Sequence, residues 1–202
     1  FDNPTAGVTW SINNSAQAPV ISGNITFTGA GNTVMNHTLT GSGYSIIMNG
    51  TGSATLGGTN TYTGATTVNS GVLAAGSNAA FSTSAVTVAN GASLNLNGFS
   101  VSNALTLGGQ GANSNGALFN GASTSASTSG NITLTADASF KSKNGGGLTL
   151  GAINGSFALT VDTDGATADA AFTQSGAVGS TTSLSSYTIT SGTANVAING
   201  AV

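Results

Sequence analysis

Cysteine, arginine and glutamate are all missing from this chain, proline occurs twice, and 202 residues carry only two lysines and five aspartates as charged side chains. Each shortage removes a class of function. Without cysteine there is no disulfide frame and no thiolate metal site, which suits a reducing compartment or a chain threaded unfolded through a narrow export pore. With Lys141 and Lys143 as the only fixed cations and a net charge of −3, the run of phosphate contacts that nucleic-acid binding needs cannot be assembled, so nucleic acid is excluded as a partner. No stretch approaches the roughly 20 apolar residues of a membrane helix, and no basic amphipathic segment offers a surface helix. The chain opens on Phe1 without a charged and apolar leader pattern, so it reads as processed or as a fragment.

Helical periodicity is also scarce, because Gly, Thr, Ser and Asn interrupt every window in which apolar residues might recur at three- and four-residue spacing. What the chain does have is 31 glycines and 39% hydrophobic residues, more apolar content and less net charge than a disordered chain. The apolar residues alternate with polar ones in short runs: Ile25/Phe27, Val86/Val88, Leu94/Leu96, Leu105/Leu107, Ile132/Leu134, Leu148/Leu150, Phe157/Leu159/Val161, Tyr187/Ile189 and Val196/Ile198. Such alternation gives a strand one apolar and one polar face, so the chain is all-β. Between runs stand Asn-Gly pairs, at Asn49, Asn90, Asn97, Asn115, Asn120, Asn144, Asn154 and Asn199. Both residues tolerate positive φ, which predicts turns.

Many short strands with frequent turns fit an antiparallel β-sandwich or a solenoid. The near absence of charge favours the solenoid: in a parallel stack identical positions lie about 4.8 Å apart, where Asn, Ser and Thr ladders attract and charged ladders repel. A sandwich would also guard its edges with Lys, Pro or inward charges. Rungs of roughly 20 to 25 residues predict about eight to ten rungs and a rod of about 40 to 50 Å. Residues 23–202 are assigned to the solenoid. Residues 1–22 hold the only Trp, Trp10, with Pro4 and Pro19, and are read as an N-terminal cap that lays Trp10 across the first rung.

From Thr59 the chain reads "TNTYTGATTVNSGVLAAGSNAAFSTSAVTVANGASLNLNG", which resembles the autotransporter-associated β-strand repeat of bacterial secreted passenger domains. Asn60, Tyr62, Thr63, Gly64, Thr67, Val68, Gly71 and Leu73 carry the likeness. "GNITLTADASF" from Gly130 and "LTLGAINGSFALTVD" from Leu148 resemble more loosely the repeats of filamentous-haemagglutinin-like large adhesins. The resemblance implies a right-handed parallel β-helix, exported through an outer-membrane β-barrel translocator and displayed outside the cell. The barrel strands of that family pattern do not occur in this sequence.

Parallel β-helices also carry polysaccharide lyases and hydrolases, which need paired carboxylates or a strong base beside a bound substrate. Asp137, Asp162, Asp164, Asp169, Lys141 and Lys143 are the whole inventory of the C-terminal half. "VDTDGATAD", Asp162 to Asp169, is the densest acidic run, but Gly165 comes too early for an EF-hand loop and the nonapeptide calcium repeat is missing. It reads as a solvated turn, and the two lysines as an outward pair on one strand. His37 has no second His or Cys to share a metal. Sequons at Asn13, Asn24, Asn36, Asn49, Asn131 and Asn154 follow from a composition rich in Asn, Ser and Thr.

The reading is therefore a non-catalytic surface protein segment, a stalk, fibre or adhesin, with no catalytic, cofactor or metal residues. Two alternatives stand beside it: a filament subunit joined end to end by strand addition, and a carbohydrate-active β-helix enzyme. The expected partners are further copies or repeats end to end, the translocator during export, and a host or neighbouring cell surface.

Overall fold

The computed structural model describes residues 2–5, 22–164 and 168–202, together with the backbone of 9–12. Every strand pairing among them is parallel. That excludes the antiparallel sandwich and leaves a β-solenoid of about eight turns. Side chains reach across to residues 19 to 29 positions away, one rung along. The longest register steps, Leu105 to Ile132 and Ala158 to Ser186, exceed the expected rung length, which holds the count at the low end of the expected range. A single 3-10 turn, Ala112–Ser114, is the only helical element among the described residues.

Each rung lays short strands on two sides of the stack, and in the C-terminal half on a third. The first face holds β2 (Ile25–Phe27), β4 (Ile46–Met48), β6 (Thr66–Val68), β8 (Val86–Val88), β11 (Leu105–Gly109), the start of β14 (Ile132–Ser142) and β16 (Ile153–Asn154). The second holds β1 (Thr9–Ile12), β3 (Asn32–Met35), β5 (Ser53–Leu56), β7 (Val72–Ala75), β9 (Ser93–Asn95), β12 (Leu118–Asn120), the end of β14, β17 (Ala158–Asp162) and β19 (Ser186–Thr190). The third is stranded only in the C-terminal half, as β10 (Ser100–Val101), β13 (Ala126–Thr128), β15 (Leu148–Leu150), β18 (Phe172–Gln174) and β20 (Val196–Ile198). Residues 9–12 thus enter the sheet as a parallel strand on β3, Trp10 opposite Thr33. The burial expected of the Trp10 side chain lies outside the described residues.

One core runs the length of the stack. Val68, Leu73, Val86, Val88, Leu94, Leu96, Leu105, Leu107, Ile132 and Leu134, the inward positions that alternation predicts, are all buried. They form rows, such as Ile46, Thr66, Val86, Leu105, Ile132 and Ile153. Burying each Leu or Ile stabilises by roughly 1.5–3 kcal/mol relative to exposure.

The Asn-Gly pairs divide into two kinds, and only one adopts the positive φ that both residues tolerate. At Asn97-Gly98 and Asn144-Gly145 both residues have positive φ, and at Gly91, Gly116 and Gly155 the glycine alone does. Gly50, Gly121 and Gly200 do not adopt positive φ. They sit flat against the neighbouring rung, where a Cβ would overlap the Gly29 carbonyl at Gly50, the Asn95 amide at Gly121 and the Gly176 carbonyl at Gly200. There the stack demands glycine for space, where a tight turn would demand it for backbone conformation.

Candidate functional surface

Of the residues that carry the repeat signature, Asn60, Tyr62, Thr63 and Gly64 precede β6 on the side of the N-terminal half that has no strands, where side chains stand in for a ladder. Asn60 is buried, accepts the Leu39 N–H on Oδ1 (2.7 Å) and donates from Nδ2 to the Ala80 carbonyl (2.6 Å). One side chain therefore ties three successive rungs. Tyr62 is fully buried and its hydroxyl shares a 2.7 Å hydrogen bond with Thr66 Oγ1; burial pushes its pKa up to about 12, against the smaller opposing effect of that bond. Thr63 Oγ1 accepts from the Gly43 N–H (2.8 Å). Gly64 lies on the Tyr44 carbonyl with no room for a Cβ, and Gly71 combines positive φ (64°) with contact to the Gly50 carbonyl. Val68 and Leu73 fill the core. Of the two threonines, Thr63 is exposed and Thr67 half-buried on the outer side of β6.

The C-terminal half has its own clamps. Asn120, fully buried, accepts the N–H groups of Gly98 (2.9 Å) and Ala122 (3.2 Å) and donates to the carbonyls of Thr124 (2.8 Å) and Gly147 (3.1 Å), so all its hydrogen-bonding capacity is met. Gln174 donates to the carbonyls of Gly151 (2.6 Å) and Gly176 (2.8 Å) and accepts from the Tyr187 hydroxyl (3.1 Å), whose pKa burial raises. Asn103 Nδ2 serves the carbonyls of Phe81, Ser82 and Ser84. Sequence reasoning missed these three. The signal for two of them was present, since Asn120 follows Leu118 and Gln174 follows Phe172 at the inward spacing of two.

The charged residues are spread over the surface. Lys141 and Asp162 are register partners on adjacent rungs, Nζ to Oδ2 3.4 Å, both about a third exposed; such a pair contributes about 0–1 kcal/mol. Lys143 faces outward too, donating to Asn115 Oδ1 and lying 5.5 Å over the Phe119 ring. Burial, then the Lys141 charge, lowers its pKa. Asp137 accepts the Ala158 N–H (2.9 Å), and Asp162 Oδ1 the Asp164 N–H (3.2 Å). Asp169 is held below the usual carboxylate range by the Thr193 N–H and then its hydroxyl. Among the described residues no three acidic or imidazole groups converge as a metal set. Residues 165–167 of the acidic run lie outside the described residues.

Outside the core, polar rows run up the stack. Asn69 donates to Asn49 Oδ1, Ser53 to Asn32 Oδ1 and Ser127 to Ser100 Oγ, each at 2.8 Å. The first face differs. Thr67, Thr87, Thr106 and Thr133 stand in register on four consecutive rungs, and among the described residues none of their hydroxyls has a hydrogen-bond partner. No Asp, Glu, Lys or Arg occurs between Asp2 and Asp137, so this face is uncharged.

Residues 46–75 match the family model of the passenger-associated-transport-repeat. The match takes in the signature from Asn60 and reaches one turn further towards the N-terminus, to Ile46. No curated protein and no solved structure matches the chain. The segment that spans β4 to β7, with its Asn60 clamp and Tyr62–Thr66 pair, thus matches an autotransporter passenger repeat.

Proposed function

We propose that this chain is a non-catalytic structural segment of a passenger displayed on the bacterial surface, a stalk or fibre whose outer rows serve adhesion. The observation that supports this reading is the continuity of the stack: one core and one set of side-chain clamps run from rung to rung, which makes a stiff rod on the order of 40 Å long. The passenger repeat at 46–75 supports export through an outer-membrane β-barrel translocator and a place outside the cell. Further repeats or copies of the same kind are the proposed end-to-end partners. β19 and β20 each pair on one side among the described residues, and Val196 and Ile198 are each 41% exposed; another turn of parallel strand meets both needs.

The test is display. Fused between an N-terminal epitope and a translocator barrel, the chain should bring the epitope to antibody on intact cells. It should show no turnover of polygalacturonate or alginate, and the Asp162→Asn, Asp164→Asn double variant should behave as the parent does. Retention of the fusion inside the cell, or a glycan-cleaving activity abolished by that double variant, would overturn the proposal.

A further inference from the structure

We propose that the first face binds ice. Its outward positions form a two-dimensional array: Thr67, Thr87, Thr106 and Thr133 in one row, and Ala65, Ala85 and Ala104 beside them, placed in register by the bonds that the N–H groups of Ile46, Thr66 and Val86 give to their carbonyls. The alanines are exposed, as are Thr87 and Thr133, while Thr67 and Thr106 are half-buried. Rungs repeat at about 4.8 Å and residues two apart on a strand at about 6.6 Å. The array therefore presents hydroxyl and methyl groups on a nearly rectangular lattice whose rung spacing is close to the shorter repeat of the oxygens on the prism faces of hexagonal ice.

Three features favour an extended, neutral, repeating ligand. The face is uncharged, which offers nothing to an ionic partner. The polar rows elsewhere satisfy one another at 2.8 Å, whereas these four hydroxyls have no partner among the described residues and keep their capacity for oxygens outside. Thr is stiff at χ1, so the hydroxyl positions are held before any ligand arrives and little side-chain entropy is lost on binding. A small molecule would require a concave pocket, and a protein partner would require the aromatic or Arg anchors that are missing from these rows.

The experiment freezes the purified 202-residue chain slowly from solution and measures its share in the ice, with ice-crystal shape and recrystallisation recorded alongside. Thr87→Lys and Thr106→Lys place a long cation in the middle of the array, and Thr149→Lys does the same on the third face; circular dichroism confirms that all three remain folded. The parent and Thr149→Lys should enter the ice and slow recrystallisation, and Thr87→Lys and Thr106→Lys should each lose at least ten-fold in incorporation. Exclusion of the parent chain from ice, equal incorporation of Thr87→Lys, or adsorption to crystalline cellulose or chitin without adsorption to ice would each refute the proposal.

Discussion

Replacing Asn60 with Ala would leave the Leu39 N–H and the Ala80 carbonyl without their partners inside a wall that has no strands to replace them. A buried group left unsatisfied costs about 1–3 kcal/mol, so Asn60→Ala should lose roughly 2–4 kcal/mol in urea unfolding. Tyr62→Phe, which removes only a hydroxyl, should lose about 1 kcal/mol. The tyrosine also sets a pH limit. Its folded pKa, about 12, lies above the ordinary value of 10.0, so the neutral form is favoured by folding; the contribution is complete below pH 10 and is lost as pH rises from 10 towards 12. Titration of the phenolate absorbance should show Tyr62 ionising only as the protein unfolds, and an early ionisation at pH 10 with the fold intact would contradict its burial.

At the scale of single strands and turns, glycine divides by what lies beneath it. Gly64→Ala would drive a Cβ into the Tyr44 carbonyl, a backbone atom that cannot step aside, whereas nothing lies within 4 Å of a Cβ at Gly23. Gly64→Ala should therefore destabilise by about 2–3 kcal/mol, and Gly23→Ala should be neutral or stabilise by up to about 1 kcal/mol, both read from thermal unfolding. This distinction was not legible in the sequence. Period-two alternation made the inward residues Val68, Leu94 and Leu107 plain, and low charge made parallel stacking the better architecture, because both follow from spacing and residue type alone. Which Asn-Gly pair needs its glycine for positive φ and which for space beneath a neighbour depends on contacts with a residue about 20 positions away. The same holds for Asn103, whose three carbonyl partners lie 19 to 22 residues back. The continuous β14, which joins two faces, showed in the sequence only its Ile132/Leu134 alternation. The Thr67 to Thr133 row was visible only residue by residue until the register was known.

For the whole molecule, a stack whose rungs touch only their neighbours should tolerate loss of a complete rung and not of a fraction of one. Ile46, Thr66 and Val86 are successive register partners, as are Ala54, Leu73 and Leu94. Deleting residues 66–85 therefore joins β4 to β8 and β5 to β9 in the original phase, and the shortened chain should keep its β circular dichroism and a single cooperative transition. Deleting only 76–85 removes the third side of one rung and should abolish that transition. The parallel in-register stack itself is tested most directly by the distance between nitroxide labels on Thr26→Cys and Thr133→Cys, five rungs apart on the first face, and on Thr26→Cys and Asn154→Cys, six rungs apart. Pulsed electron–electron resonance should return about 24 Å for the first pair and about 29 Å for the second, one rung more. Equal distances, or a second distance shorter than the first, would contradict the solenoid.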